Sequence, residues 1–160
     1  MLAEEAGISR GLLYHYFGGK HAFREAVVRR AIDDLVAQTA PPASADPIER
    51  LVGSMRVYVD YVAANYQGYT SIVRAAAGGN EVLRGLYEEA RTALTDRIFT
   101  EGAQGDLVPD TPAARLVVSG GSAMAEDLVL TRVAEPGQVT RDQLVEALAA
   151  SLPALVELLH

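Results

Sequence analysis

The chain has 160 residues, 49% of them hydrophobic, and carries a formal net charge of −7. That length and composition favour one domain, or one domain with a small appendage, with enough apolar side chains to form a core. The absence of cysteine excludes disulfides and thiolate metal sites. No basic region followed by an apolar run marks a signal peptide, and no apolar run approaches the roughly 20 residues of a membrane span. We therefore expect a cytoplasmic protein without a membrane partner.

The charge is unevenly distributed along the chain. Residues 9–30 carry five basic side chains and one acidic side chain, a balance of +4, whereas residues 1–8 hold −2 and residues 31–160 hold −9. A small basic patch on an acidic body suits a protein that contacts phosphate groups with one end only.

The first predicted element is the end of a helix over residues 2–6, which Gly7 would stop. Ser9 follows in the position of an N-cap, so a short second helix should begin there. A helix, a glycine turn and a short helix form the pattern of a helix-turn-helix, whose second helix enters the major groove of DNA. Apolar residues with the spacing to pack the two helices together are Ala3, Ala6, Ile8, Leu13 and Phe17.

Helical periodicity continues to the end of the chain, and no pair of strands is predicted. The expected helices cover residues 20–39, 47–66, 68–77, 81–101, 112–132 and 140–159. Three prolines within residues 40–47 break the pattern, and Ser44 or Asp46 can cap the helix that follows. A glycine of residues 78–80 suits a left-handed C-cap. The sequence thus predicts an all-α fold.

The last two helices differ from the others. Gly120 and Gly121 lie within one helix, where each costs roughly 1 kcal/mol relative to alanine, and the compensation we expect is close approach of another backbone. The helix over 140–159 is apolar on most sides and must be covered on most sides. A homodimer through these two helices is predicted, and the alternative is that both are core helices of a monomer. The expected interface comprises Gly120, Gly121, Met124, Leu128, Leu148, Leu152 and Leu155.

A resemblance to a known family rests on the segment AEEAGISRGLLYHYFGGKHAFREAV, residues 3–27. It resembles the DNA-binding signature of the tetracycline-repressor (TetR) family of bacterial regulators: Ala-x-x-Ala-Gly-[Val/Ile]-Ser, then Leu-Tyr-x-[Tyr/His]-Phe, a short turn, and Lys-x-x-[Leu/Phe]. The matching positions are Ala3, Ala6, Gly7, Ile8, Ser9, Leu13, Tyr14, Tyr16, Phe17, Lys20 and Phe23. The family pattern has a further helix ahead of these residues, so we expect that the first helix of the DNA-binding domain is missing from this chain.

The resemblance implies two domains. Residues 1–38 would be a partial helix-turn-helix head with its connecting helix, and residues 39–160 would be a helical ligand-binding and dimerisation domain. The implied DNA-binding residues are Ser9, Arg10, Gly11, Leu12, Tyr14, His15, Tyr16 and Lys20.

These residues would have different roles on DNA. Arg10, with Gly11 and Leu12, occupies the base-reading positions, where its guanidinium could bind guanine O6 and N7. Tyr14 and Tyr16 would donate their hydroxyl groups to phosphates; the alternative is that both are ordinary half-buried helix residues. Lys20 would bind phosphate at a helix N-terminus, where the dipole also favours an anion.

Members of the family usually bind a small molecule among the central helices. Tyrosine, with an apolar body and one polar tip, suits an apolar pocket with few anchoring groups. The alternative is that the tyrosines are core residues whose hydroxyl groups reach the surface. The candidate pocket residues are Met55, Tyr58, Tyr61, Val62, Tyr66, Tyr69, Val73, Leu86, Tyr87, Ala90 and Met124.

The implied function is transcriptional regulation, by the family default repression: a dimer would bind double-stranded operator DNA and be released by a small-molecule effector. No cofactor or metal is implied. The alternative is a dimeric helical small-molecule-binding protein that does not bind DNA. An enzyme is disfavoured because the three histidines lack metal-ligand spacing and Ser119 and Ser122 have no nearby base. The pair Glu126 and Asp127 is interpreted as a solvated face.

Overall fold

The computed structural model describes residues 9–43, 46–100 and 108–158. These residues form seven helices and no strand, so the all-α prediction is confirmed. The predicted helix end over residues 2–6 and its glycine stop lie outside the described residues. The helices are α1 (Arg10–Tyr16), α2 (Lys20–Gln38), α3 (Pro47–Ala64), α4 (Tyr66–Ala77), α5 (Glu81–Thr100), α6 (Pro112–Ala134) and α7 (Arg141–Glu157).

Side-chain caps explain where three of the helices begin. Asp46 Oδ1 accepts hydrogen bonds from two backbone amides of the first turn of α3, which confirms one of the two predicted caps. Thr111 caps α6 through its hydroxyl group. Thr140 and Gln143 form a reciprocal capping box at the start of α7, with distances of 3.2 and 3.0 Å. Each cap stabilises its helix by about 1 kcal/mol.

The boundary between α3 and α4 differs from the prediction of one helix over residues 47–66. The helix ends at Ala64, and Asn65 closes it by donating both its backbone amide and its side-chain amide to Tyr61 O, at 3.0 and 2.9 Å. The turn contains neither proline nor glycine, so no strong breaker in the sequence announces it. The C-terminal end of α4 follows the prediction, because Gly79 has φ +84°.

The main core lies between α3, α6 and α7. Its most deeply buried side chains are the valines Val59, Val62, Val118, Val129 and Val145. A separate apolar cluster joins α2 to α5, where Val28 packs with Leu83 and Leu86. The helix α2 therefore rests on the body as a connecting element between the α1 end of the molecule and the central helices. No helix of the described residues is long and apolar enough to cross a membrane.

Candidate DNA-binding surface and ligand groove

The start and end of α1 are set by local chemistry. Ser9 Oγ accepts the backbone amide of Leu12 at 3.2 Å, as expected for an N-cap. At the other end, Gly19 N donates to Tyr14 O at 2.6 Å and Gly18 N donates to His15 O at 3.3 Å. This is the pair of bonds of a Schellman motif, and Gly18 has the left-handed φ of +75° that the motif requires. The two glycines thus turn the chain sharply from α1 into α2.

An aromatic cluster fixes α1 against the first turn of α2. Phe23 meets Tyr14 and Phe17 edge-on, with ring centroids 5.9 and 5.3 Å apart, and Phe17 meets Tyr16 in the same way at 5.4 Å. Tyr14 is half-buried, whereas Tyr16 is 84% exposed. The two tyrosines therefore differ. Tyr14 packs against Phe23 within the chain, whereas most of the ring of Tyr16 is exposed to solvent.

The other residues predicted to contact DNA lie on the surface. Gly11, Leu12, His15 and Tyr16 are exposed, and their spacing places them on one outward side of α1. Lys20 is exposed at the first position of α2. The side chain of Arg10 lies outside what the structure describes. The geometry leaves these groups available to an external partner, and their contact with DNA stays a prediction.

The basic patch is concentrated at the N-terminus of α2. Arg29 pairs with Glu25 at 3.9 Å and Arg30 pairs with Asp34 at 3.2 Å, which offsets both charges along the helix. Lys20 and Arg24 form no ion pair within the described residues. The first turn of α2 contains no acidic residue, and its N-cap glycine supplies no side-chain hydrogen bond. The amides, the helix dipole and the two cations therefore favour an anion at the same place.

A groove of about 840 Å³ lies between α2, α4 and α5 and extends to the end of α3 and to Tyr14 and Lys20 of the head. Most of its wall is apolar. Of the pocket residues predicted from the sequence, the groove is lined by Tyr61, Tyr66, Tyr69, Val73, Tyr87 and Ala90.

A second, smaller chamber of about 120 Å³ lies beside the groove, between α3, α5 and α6. Met55 and Tyr58 of the predicted set line it. Tyr69, Arg91 and Leu94 line both cavities and so form the partition between them. The groove and the chamber are therefore two parts of one candidate binding region.

A hydrogen-bond network centred on Glu126 connects four helices at this partition. Its Oε2 accepts from the hydroxyl of Tyr69 at 2.8 Å, and its Oε1 accepts from the hydroxyl of Tyr87 at 2.6 Å. The hydroxyl groups of Tyr58 and Tyr69 are 3.1 Å apart. Because Tyr69 uses its only proton on Glu126, Tyr58 is the donor of that bond. One carboxylate thus holds α3, α4, α5 and α6 together.

Burial keeps these tyrosines protonated. It raises the pKa of Tyr58 and Tyr69 well above the ordinary value, and burial together with the bond to Glu126 raises the pKa of Tyr87 to about 12. The three hydroxyl groups therefore remain hydrogen-bond donors across the physiological range.

Arg91 is the cation that lines both cavities. Its Nη2 donates to Ser119 O at 3.0 Å and to Ser122 Oγ at 2.9 Å, which joins α5 to α6. The guanidinium also lies 5.8 Å from the ring centroid of Tyr87, a distance typical of a cation–π contact.

Three of the predicted pocket residues line neither cavity. Val62 is fully buried among α3, α6 and α7, and Leu86 is buried against α2. Met124 is 37% exposed on α6. Glu126 was interpreted as part of a solvated face but is half-buried, while its neighbour Asp127 is exposed. The signal that could have found Glu126 is its place four residues after Ser122 and eight after buried Val118, on one row of α6.

The residues predicted for a dimer interface divide into two groups. Leu148 and Leu152 are buried in the core of the single chain. Met124, Leu128 and Leu155 remain between 36% and 40% exposed, and Leu116 of the same pair of helices is 75% exposed. A Cβ placed on Gly120 or Gly121 would meet nothing within 4 Å. The close helix contact expected at the two glycines is therefore not made within one chain.

The part of the chain that the structure describes contains no group of three or more His, Asp or Glu side chains that could hold a metal ion.

Comparisons of the N-terminal sequence and of the whole fold with known proteins point to the same family. Residues 1–27 match the family model described as bacterial regulatory proteins, tetR family. A TetR-family transcriptional regulator from Streptomyces coelicolor superposes with a TM-score of 0.81 and 30% identity, covering 98% of this chain and 71% of that one. The TetR-family regulator PfmR from Thermus thermophilus is similar in fold alone, at a TM-score of 0.56 and 19% identity, over 98% of this chain and 85% of PfmR.

Curated relatives agree. The transcriptional activator FasR of Mycolicibacterium smegmatis is 25% identical over 147 residues, which cover 91% of this chain and 67% of FasR. The transcriptional regulator BetI of Vibrio vulnificus is 30% identical over 71 residues, 44% of this chain and 34% of BetI. The chain thus matches about two thirds of the one relative and about a third of the other.

Proposed function

Because the chain belongs to the TetR family of bacterial transcriptional regulators, we propose that it binds operator DNA as a homodimer and is released by a small molecule bound in the groove. In this proposal residues 1–38 form the DNA-binding head with its connecting helix, and residues 39–160 form the ligand-binding and dimerisation domain. Bound over a promoter in the cytoplasm, such a dimer would exclude the polymerase, so repression is the expected sign. The relative FasR is a transcriptional activator, so the opposite sign of regulation also occurs among similar proteins.

The observation that carries the proposal is the position of α2. Its first turn holds Lys20 and packs through Phe23 on α1, while its second half walls the groove through Ile32 and Leu35. Tyr61 donates to Ala31 O at 3.1 Å and so attaches this second half to α3. One helix therefore connects the exposed head to the cavity, and a ligand that moves α2 would also move the head.

The exposed apolar side chains of α6 and α7 support assembly into a dimer. Leu116, Leu128 and Leu155 lie in solvent in the single chain, although apolar side chains gain about 25 cal/mol per Å² on burial. Beside them Gly120 and Gly121 present a surface without side chains, which a second helix could approach closely. Two heads held at a fixed separation would match the two half-sites of an operator.

The test uses the full-length gene product and fluorescence anisotropy with labelled duplex DNA from upstream of its own gene. We expect binding that survives an excess of unrelated duplex. Arg10→Ala should relax the preference at one operator position by roughly 1–3 kcal/mol, since one bidentate guanine contact is lost. It should leave small-molecule binding unchanged. A protein that binds small molecules but shows no preference for any upstream duplex would instead be a dimeric ligand-binding protein without DNA binding.

A further inference from the structure

The charge of the groove is opposite to that of the whole chain. Lys20, Arg24 and Arg91 line it, and none of its described lining residues is acidic, although the chain carries a net charge of −7. The rest of the wall is largely apolar, as with Ile72 of α4 and Leu83 of α5. An apolar space with only cationic charges suits a ligand that has an apolar body and a negative group.

The guanidinium of Arg91 lines the groove and has no carboxylate partner within the described residues. Both of its hydrogen bonds to α6 use Nη2, and the guanidinium also interacts with the side chain of Tyr87. Glu126 forms no ion pair with Arg91, because its two oxygens instead accept from Tyr69 and Tyr87. The guanidinium is therefore not neutralised by a carboxylate, and it can give a charge-assisted hydrogen bond to an anionic ligand.

We infer that the groove binds an amphipathic carboxylate, whose carboxylate group pairs with the guanidinium of Arg91 and whose apolar body lies between α2, α4 and α5. The inference rests on the proposed function, since it names the chemical class of that effector. A monoanion matches the single guanidinium at the half-buried inner end. A dianionic phosphate would leave one charge uncompensated there, beside the carboxylate of Glu126, and that costs free energy in a poorly solvated site.

A cationic ligand is the opposite possibility, because tyrosine rings and a carboxylate can bind ammonium groups. The contacts argue against it. The carboxylate of Glu126 already accepts two hydroxyl groups, and the face of Tyr87 already lies beside Arg91. A second cation would enter next to a guanidinium that has no carboxylate partner of its own.

The test compares three probes of equal chain length. Decanoate and decylammonium are used below their micelle concentrations, and decan-1-ol is used below its solubility limit. Isothermal titration calorimetry on the chain should give the tightest binding for decanoate. Arg91→Gln should weaken decanoate by roughly tenfold or more, because a hydrogen-bonded charge contact is lost, and should leave decan-1-ol unchanged. Arg91→Lys, which keeps the charge but replaces the guanidinium by an ammonium group, should lose part of the decanoate affinity.

The matched control is Arg84→Gln, the same substitution two turns earlier on α5 at an exposed residue that does not line the groove. It should bind all three probes as the unmodified chain does. Thermal melts by circular dichroism show whether each variant is folded. Equal binding of the three probes, preference for decylammonium, no binding of any probe, or a folded Arg91→Gln variant with full decanoate affinity would overturn the inference.

A second arm separates this inference from the proposed function. Decanoate is added to the complex of the full-length gene product with its upstream duplex. Release of the DNA by decanoate supports both the ligand class and the effector role. Binding of decanoate through Arg91 without any effect on the DNA would keep the ligand class and remove the effector role. Release of the DNA by decylammonium but not by decanoate would keep the effector role and overturn the ligand class.

Discussion

At the scale of single residues, Glu126 shows what sequence reasoning could not reach. The family resemblance and the chemistry of tyrosine together predict its neighbours Tyr69 and Tyr87 as pocket residues. Their common partner was not predicted, because a Glu-Asp pair on a helix is usually solvated and only the packing of α4 and α5 on α6 places two hydroxyl groups against one carboxylate. The helical row shared with Val118 indicates only that Glu126 faces inward. Its two hydroxyl partners follow from tertiary contacts between residues far apart in sequence.

The raised pKa of Tyr87 predicts a loss of stability in alkali. The folded state favours the neutral hydroxyl, so its contribution is complete below the ordinary pKa of about 10 and is lost as the pH rises toward about 12. The free energy of unfolding, measured by urea denaturation, should therefore fall over this interval. Tyr87→Phe should make the fall shallower.

The control for Tyr87→Phe is Tyr16→Phe, which removes a hydroxyl group from an exposed ring. Tyr58 and Tyr69 will contribute to the same fall, so a residual slope is expected in Tyr87→Phe. An identical slope with and without the Tyr87 hydroxyl would show that this residue is not coupled to folding.

A glycine in α3 gives a second prediction at residue scale. A Cβ on Gly53 would lie 2.6 Å from Cγ of Pro42, closer than side chains approach. Gly53→Ala should therefore lose the usual helix gain of roughly 1 kcal/mol and instead destabilise the fold by about 1 kcal/mol through overpacking. Gly85→Ala in α5 meets nothing within 4 Å and should stabilise it. Urea denaturation measures the free energy of unfolding of both variants.

Replacing the proline tests the cause of that effect. With Pro42→Ala as background the ring is gone, and Gly53→Ala should then behave as Gly85→Ala does. A gain in stability from Gly53→Ala in the unmodified chain would mean that Pro42 moves aside at no cost.

At the scale of elements, the head was the most predictable part of the molecule. Ser9 as a cap and the two glycines as a turn follow from backbone requirements that few other residues meet, and the structure has both. The end of α3 was less predictable, because Asn65 stops it without a strong sequence signal. Periodicity thus predicts that the helices exist, whereas the junction between α3 and α4 depends on how α4 packs against α5.

The phosphate role of Lys20 can be tested in the full-length gene product. Lys20→Ala and Tyr14→Phe should weaken binding to specific and unrelated duplexes about equally, since phosphate contacts carry no sequence information. Lys20→Ala should also lower the salt slope of binding by roughly one, because one phosphate contact releases about one counterion. Anisotropy titrations over a range of salt concentrations give the slope.

The control for Lys20→Ala is Arg29→Ala, which removes the same charge from the same helix. Arg29 already pairs with Glu25 and lies more than two turns beyond the N-terminus of α2. Its removal should leave the slope unchanged. A slope for Lys20→Ala equal to that of the unmodified protein would exclude a phosphate contact at Lys20.

At the scale of the whole molecule, the proposed dimer predicts that a substitution on α6 can weaken association without affecting folding of the single chain. Gly121→Leu introduces a side chain that meets nothing within the single chain, so folding should be preserved. In a dimer with α6 at its interface the same side chain would force the helices apart, at a cost of about 1–3 kcal/mol, or roughly 5–150-fold in the dissociation constant. Sedimentation velocity at several concentrations measures it.

Gly68→Leu is the matched control for the dimer, because Gly68 is equally open but lies on α4. It should leave association unchanged. A monomer at micromolar concentration in the unmodified protein would show that the exposed leucines of α6 and α7 do not form a dimer interface.

Because α2 connects the head to the groove, its position predicts how DNA binding and ligand binding change each other's affinity. Its 19 residues span about 28 Å, and its second half is fixed to the body through Ala31 and through Val36 O, which accepts from Arg97. A ligand that favours the arrangement unable to bind DNA must itself bind more weakly when DNA is present, by the same factor, since the two equilibria are linked. Calorimetric titration of decanoate with and without saturating operator duplex should therefore show a loss of affinity of about 5–150-fold, equal to the loss of operator affinity in saturating decanoate. Arg91→Gln, which removes the carboxylate contact but not the head, should bind the operator normally and lose most of its response to decanoate. Equal decanoate affinity with and without the operator would mean that a ligand in the groove leaves α2 where it is, and that the head responds to something else.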